Sequence, residues 1–146
     1  MKLPKKIRNH ARCHDIEQVL GRHRLQLWKG SEVEVCSCDL SEQLIAGLLK
    51  CKGTKSLVVG MDKAKQALSG AERDVSYSHL LLLANGGSER LYRGAVGLMR
   101  KHAVLCIRLN CDPEELGQAL FQKEKQIKAI LVEGFDPVSD VLLSLV

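Results

Sequence analysis

Four short apolar runs, separated by polar stretches, dominate the hydrophobic pattern of this chain. Each run has the length of a buried strand and is too short to be a buried helix on its own. Val33 and Val35 alternate with Glu32 and Glu34, which predicts one further strand that is short and exposed. The core strands are predicted at residues 56–59, 79–84, 103–109 and 127–132.

Residues with helical spacing fill the intervals between these strands. Asp39 or Ser41 can cap the first of these helices, and Asp112 followed by Pro113 is a good start for a later one. A short helix around Ile16 can dock on the domain. The other helices are predicted at residues 41–50, 61–69, 88–101, 113–120 and 136–145.

Gly60 lies between the first core strand and the helix that follows it. A strand that turns on a glycine into a helix leaves backbone N–H groups free at the positive end of the helix dipole. This geometry suits a phosphate, so the sequence predicts the functional edge of the molecule at the Gly60 turn.

Strands that alternate with helices predict an α/β protein. We expect a three-layer α/β/α sandwich with a four-stranded, mostly parallel or mixed sheet. This single domain should occupy residues 31–146, with a basic N-terminal arm at residues 1–30. Ligands of such folds bind at loops beyond the strand ends, which here are residues 60–63, 85–88 and 108–112.

Positive charge is concentrated in the first thirty residues. They contain eight Lys or Arg and two acids, a net charge of +6, whereas the whole chain carries +5. Basic arms of this kind commonly contact phosphate backbones, so Lys5, Lys6, Arg8 and Arg12 are candidate contacts. A solvated tail or a sorting signal is the alternative. The arm has no acid before Asp15, as in a mitochondrial presequence, but it lacks serines and a clean amphipathic pattern.

The six cysteines follow no secretory apolar segment, so we expect reduced thiols in an intracellular protein. His10, Cys13 and His14, together with Cys36 and Cys38, form the best zinc candidate. The Cys-x-Cys spacing is tighter than the usual two-residue gap, and the sequence has no second paired knuckle. We therefore expect no zinc or other metal, and no cofactor.

Sequence signatures of an enzyme are also missing. No Gly-x4-Gly-Lys-Ser/Thr string occurs, and Gly86-Gly87 has no third glycine to complete a dinucleotide fingerprint. The histidines have no Ser or Cys partner that would form a nucleophile and base. Apolar runs such as residues 80–84 are far too short to span a bilayer. The sequence thus predicts a non-catalytic protein without a membrane partner.

Three segments, in order, resemble the kink-turn RNA-binding superfamily of ribosomal proteins L-seven-Ae and L-thirty-e. This superfamily includes box C/D small nucleolar particle proteins, RNase P/MRP subunits and Gadd-type stress proteins. Residues 60–67, GMDKAKQA, stand where the family has Gly-x-Asn-Glu-x-x-Lys-Ala. Residues 79–84, HLLLLA, stand where it has a central strand ending in Ala. Residues 113–119, PEELGQA, match its Glu-Leu-Gly-x-Ala helix start.

The resemblance implies a way of holding RNA. In the family, the Gly-x-Asn-Glu turn contacts the sheared purine pairs and bent backbone of a kink-turn, and the loop before Glu-Leu-Gly covers an extruded base. This chain differs at Asp62, which stands for Asn, at Lys63, which stands for Glu, and at Gln66, which stands for Lys. The residues expected to contact RNA are Gly60, Met61, Asp62, Lys63, Gln66, Asn85, Leu109, Asn110, Lys5, Lys6, Arg8 and Arg12.

Three functions follow as hypotheses. The first is a non-catalytic, RNA-binding subunit of a ribonucleoprotein such as a ribosome, a small nucleolar particle or an RNase P/MRP-like enzyme. Such a subunit would be located in the nucleus, the nucleolus or the cytoplasm, with the mitochondrion as a further option. Its partners would be structured RNA and other protein subunits. The second is a protein–protein interaction module on the same fold. The third is an enzyme, or the RNA-recognition domain of a methyltransferase that has lost its catalytic half.

Overall fold

The structure is a computed structural model that describes residues 2–146. Within this range the chain forms seven helices and six strands. In chain order they are α1 (Lys5–Arg8), α2 (Cys13–Gly21), β1 (Arg24–Gln26), β2 (Glu34–Cys38), α3 (Glu42–Gly53), β3 (Leu57–Val59), α4 (Met61–Ser69), β4 (His79–Leu83), α5 (Glu89–Lys101), β5 (Val104–Leu109), α6 (Pro113–Phe121), β6 (Ala129–Glu133) and α7 (Phe135–Leu143).

All six strands form one mixed sheet in the order β1-β2-β5-β4-β6-β3. The pairs β2–β5 and β5–β4 are parallel, whereas β6 is antiparallel to both of its neighbours and β1 is antiparallel to β2. The predicted α/β class and a mixed sheet are therefore confirmed.

Helices cover both faces of the sheet, and β4 shows why its sequence is apolar throughout. Leu80 and Leu82 enter one core cluster, which includes residues of α1, α2, α3, α6 and α7. Leu81 and Leu83 enter a second cluster with α4 and α5. All four leucines are fully buried. A strand that is buried on both faces has no polar alternation, as the run HLLLL shows.

The four predicted core strands correspond to β3, β4, β5 and β6, but the prediction of a four-stranded sheet is wrong, because the sheet has six strands. The additional strands are β1 and β2, and β1 is a three-residue strand, RLQ, without a buried side chain. Its sequence lacks an apolar run, so its place depends on backbone pairing with β2. The short strand predicted at residues 33–35 corresponds to β2, which lies inside the sheet and buries Val35 and Cys36.

Residues 2–30 were predicted as a basic arm, but part of this segment belongs to the sheet and part of it packs in the core. Ile7 of α1 and Ile16 of α2 are fully buried, and β1 extends the sheet. Lys2 exchanges backbone hydrogen bonds with Val75 and Tyr77 (3.0 and 2.9 Å). None of the helices in residues 2–146 is long and apolar enough to cross a membrane.

Candidate nucleic-acid interface

Four strands, β2, β5, β4 and β3, end at the same edge of the sheet. The first three are parallel, and β3 shares their direction because β3 and β4 are both antiparallel to β6. Each of the four is followed by a helix, so α3, α4, α5 and α6 all begin there. The positive ends of four helix dipoles thus point to this edge, which favours anions.

The start of α4 differs from those of its neighbours in its hydrogen bonding. Ser41 caps α3 and Ser88 caps α5, each by accepting a hydrogen bond from a first-turn N–H. At the start of α6, Glu115 Oε1 accepts the N–H of Asp112 (3.1 Å). Gly60 offers α4 no such group, and within residues 2–146 no side chain caps this helix. Its first-turn N–H groups therefore remain available to a ligand.

Gly60 adopts a backbone conformation, φ 99° and ψ 149°, that is essentially restricted to glycine. Its N–H donates to Ala129 O (2.9 Å), and its carbonyl accepts the N–H of Ala64 (3.0 Å). Apart from its two chain neighbours, no described residue would have an atom within 4 Å of a Cβ at this position. The glycine is thus required for the direction of the chain, and the space in front of it is open.

The other predicted residues of the turn follow Gly60 on α4. Asp62, Lys63 and Gln66 are exposed, whereas Met61 is partly buried and packs on the second core cluster. Asp62 lies in the first turn, where its carboxylate complements the helix dipole. The same carboxylate would repel a phosphate that approached the free N–H groups.

Asn85 and Asn110 lie along the same edge as Gly60. Neighbouring strands are about 4.8 Å apart, so β4, which precedes Asn85, lies roughly 10 Å from β3, and β5, which precedes Asn110, roughly 14 Å. The side-chain Oδ1 of Asn85 is buried and has no hydrogen-bond partner among the described residues. Asn110 donates its side-chain amide to Asp39 Oδ1 (3.0 Å), so its donor is already engaged.

Leu109 does not contribute to this surface. It was predicted to contact RNA in the loop that precedes α6, but it is fully buried in the first core cluster, which also contains residues of α6. As the last residue of β5 it continues the inward positions of that strand, after Ile107. The alternation of side chains along β5 directs Leu109 into the core, so the prediction that it contacts RNA is corrected.

The basic residues predicted in the arm do not join the Gly60 edge. Lys5, Lys6 and Arg8 lie on α1, which packs on α7, and Lys6 Nζ pairs with Asp140 (3.5 Å). Arg12 pairs with Asp15 (3.1 Å) at the start of α2. The chain enters the sheet beside the residues that precede β4, which is the opposite end of the sheet from Gly60.

A basic groove that the sequence did not predict lies beside the Gly60 turn. Lys52 of α3, Phe121 of α6 and Lys125 line it together with Lys63 and strand β3, and its volume is about 410 Å³. These residues are far apart in the chain. The only sequence signal was the run FQKEKQ, whose glutamate masks the clustering of its lysines.

The candidate metal ligands are not gathered into one site. The sulfurs of Cys36 and Cys38 are 3.5 Å apart, and the hydrogen bond between them is the main reason that the pKa of Cys36 is lowered. Cys13 instead donates to Glu17 Oε1 (3.2 Å), and His14 contacts Gln18 (3.1 Å). Within residues 2–146, no three His, Cys, Asp or Glu side chains form a group that could hold a metal.

No protein-family model matches this sequence, and no curated protein matches it. Among solved structures, the chain is similar to one described as "The structure of a protein with unknown function from Bacillus halodurans C". The match has a TM-score of 0.58 at 10% sequence identity and covers 72% of this chain and 98% of the other. At this identity the likeness concerns the fold alone.

Proposed function

We propose that this chain is a non-catalytic RNA-binding protein that serves as a subunit of a ribonucleoprotein particle. It would bind a kink-turn-like RNA at the edge where α4 begins, on a three-layer α/β/α sandwich of the L-seven-Ae/L-thirty-e type extended by β1 and β2. The observation that carries the proposal is the uncapped start of α4 at Gly60, next to exposed Lys63.

The chemistry of this edge suits the RNA backbone. Free N–H groups at a helix start bind phosphate oxygens, and the helix dipole adds a favourable field. Lys63 supplies a full positive charge. A second exposed lysine, Lys128, immediately precedes Ala129, the first residue of β6, whose carbonyl accepts the Gly60 N–H.

The test is a salt-titrated binding assay with a kink-turn RNA and a straight duplex of the same length. Lys63→Glu should weaken kink-turn binding and lower the salt dependence, because a cation near phosphate is lost. Asp62→Asn should strengthen it, because a repelling carboxylate is removed. Lys101→Glu, at the far end of α5, changes the net charge equally and should leave the preference unchanged. Absence of a kink-turn preference in the wild type would refute the proposal.

Charge reversal is a better probe of the N-terminal segment than truncation. Removing residues 2–24 would take Ile7 and Ile16 out of the core, so the protein would lose stability before binding could be compared. Lys5→Glu changes an exposed residue and preserves the core. If RNA binding depends on the Gly60 edge, Lys5→Glu should have a smaller effect than Lys63→Glu.

A protein–protein interaction module is the second candidate, and one cavity favours it. The cavity, about 720 Å³, lies against α6 and is lined by Glu114, Glu115 and Glu124 with two glutamines. Three carboxylates there would repel RNA and attract a basic partner. This function predicts no salt-dependent binding of either RNA, together with binding to a Lys-rich or Arg-rich peptide that is weakened by Glu124→Gln.

A further inference from the structure

Strand β3 forms one border of the sheet, and a groove runs along its outer side. Within residues 2–146, only β6 pairs with β3, so the other side of the β3 backbone has no strand partner among these residues. The basic groove defined above by Lys52, Lys63, Lys125 and Phe121 lies here. Lys63 belongs to the first turn of α4, so the groove is continuous with the Gly60 turn.

Two of the amines are held in place by Phe121. Lys52 Nζ lies 4.4 Å from the centre of the ring and donates a hydrogen bond to Leu120 O (2.9 Å). Lys125 Nζ lies 4.9 Å from the same ring centre. Their separation cannot exceed the sum of these two distances, which is within about one Debye length in 0.1 M salt (~10 Å). Each amine therefore feels the charge of the other.

Neither Lys52 nor Lys125 forms an ion pair with an acid in residues 2–146. The ion pairs in the described chain involve other cations, and none of Lys52, Lys63 or Lys125 has a carboxylate within 4.0 Å. Three like charges along one groove repel each other, which an anion in the groove would relieve. The cation–π contacts position two of these charges without cancelling them.

We propose that this groove binds the phosphodiester backbone of an RNA strand that continues past the Gly60 turn. This inference rests on the proposed RNA-binding function and adds a second contact region to it. A base is a poor occupant, because the aromatic ring already carries two lysine amines. An added peptide strand is also a poor one, because β3 offers only three residues and lysines at its border disfavour strand pairing.

The test compares a kink-turn RNA with the same RNA carrying a single-stranded extension of eight uridines, placed on either end in separate samples. Wild-type protein should bind one extended RNA more tightly than the kink-turn alone. The double variant Lys52→Gln/Lys125→Gln should lose this gain and keep wild-type affinity for the unextended RNA. Each phosphate contact to a single strand accounts for about 0.7 in the slope of log K against log salt, so the slope should fall by about 1.4.

Two further variants separate folding from binding. Lys125→Gln alone should lose about half of the slope change, because its amine makes no hydrogen bond in residues 2–146 and its loss leaves the Leu120 carbonyl paired. Lys5→Gln/Lys101→Gln is the matched control, since it removes two exposed charges elsewhere. Thermal unfolding of all variants should give similar midpoints.

The possible results distinguish a failure of the groove inference from a failure of the proposed RNA-binding function. If kink-turn binding depends on Lys63 but the extension adds nothing, or the groove variants retain the gain, the groove inference is overturned and the proposed function stands. If neither RNA binds near physiological salt, both fail. Binding of a poly-glutamate peptide that is lost in the double variant, without an effect on extended RNA, would assign the groove to an acidic protein partner and also overturn the inference.

Discussion

Replacing Gly117 by alanine is the sharpest perturbation that this structure offers. Gly117 lies inside α6, and the chain after α6 runs back along that helix at this point. An alanine Cβ would overlap the main-chain carbonyl of Lys125, whose carbon would lie 2.7 Å away and whose oxygen would be nearer still. The obstacle is backbone, so no side-chain rotation can relieve it.

Two opposing effects determine the magnitude. Insertion of a group into a packed site typically costs about 1–3 kcal/mol, and more where the backbone must move. Alanine in place of a helical glycine raises the free energy of unfolding by about 1 kcal/mol, because its helix propensity is higher. We therefore expect the free energy of unfolding to fall by about 2 kcal/mol, which corresponds to a Tm lower by roughly 4–8 °C in a chain of this size.

The control is Gly97→Ala on α5, where no described atom outside its chain neighbours and the α5 backbone would lie within 4 Å of an added Cβ. That variant should gain about 0.5–1 kcal/mol, because only the propensity effect operates. Urea unfolding of both variants, followed by circular dichroism, makes the comparison. If Gly117→Ala were as stable as Gly97→Ala, the segment around Lys125 could not lie against α6, and the position of Lys125 in the basic groove would be refuted with it.

Two other predictions concern buried polar side chains. Tyr92→Phe removes the hydroxyl that donates to Ala84 O (2.9 Å) and accepts the Gly87 N–H (3.0 Å). The free energy of unfolding, measured by urea titration, should fall by about 1–3 kcal/mol. An unchanged urea midpoint would exclude these hydrogen bonds. Burial lowers the pKa of His79, and Glu133 only partly opposes this, so the unfolded chain binds a proton more readily than the folded one. The free energy of unfolding should therefore have its full value above about pH 6.5 and fall as the pH drops below it. His79→Gln should flatten this dependence, and an identical pH profile for both proteins would contradict it.

Strong local signals made part of the fold predictable from sequence. The run HLLLL at residues 79–83 became β4, since an apolar run of this length between polar stretches can be buried on both faces. Asp112 and Pro113 marked the start of α6, where the Glu115 side chain accepts the Asp112 N–H. These features depend on neighbouring residues, so a short window of sequence contains their cause.

Most of the N-terminal segment lacked such signals. The spacing of Ile16, Val19 and Leu20 predicted the helix that the structure shows as α2, but Ile7 is a single apolar residue among basic ones, and no period identifies α1. Strand β1 is stabilised by pairing with residues about ten positions away, and its own side chains are not buried. Their place depends on tertiary packing, which the hydrophobic pattern of a window does not contain.

The same distinction applies to the candidate interface. The Gly60 turn was predictable because a strand, a glycine and a helix follow one another in the sequence. The groove was not, because Lys52 and Phe121 meet only after α3 and α6 have packed. Leu109 shows the opposite error, since a position in a loop motif suggested exposure while strand alternation directed it into the core.

The docking of α1 on α7 has a consequence for how the protein folds during its synthesis. Lys6 contacts Asp140 across 134 positions of sequence, and Ile7 is buried in the same cluster as Val138 and Val141 of α7. Helix α1 therefore leaves the ribosome long before α7 exists, and it stays undocked while the rest of the chain is translated. The net charge of +6 in residues 1–30 and their few isoleucines favour hydration of this segment during that time and disfavour early self-association. The basic character of this segment can thus serve the nascent chain, independently of any ligand of the finished protein.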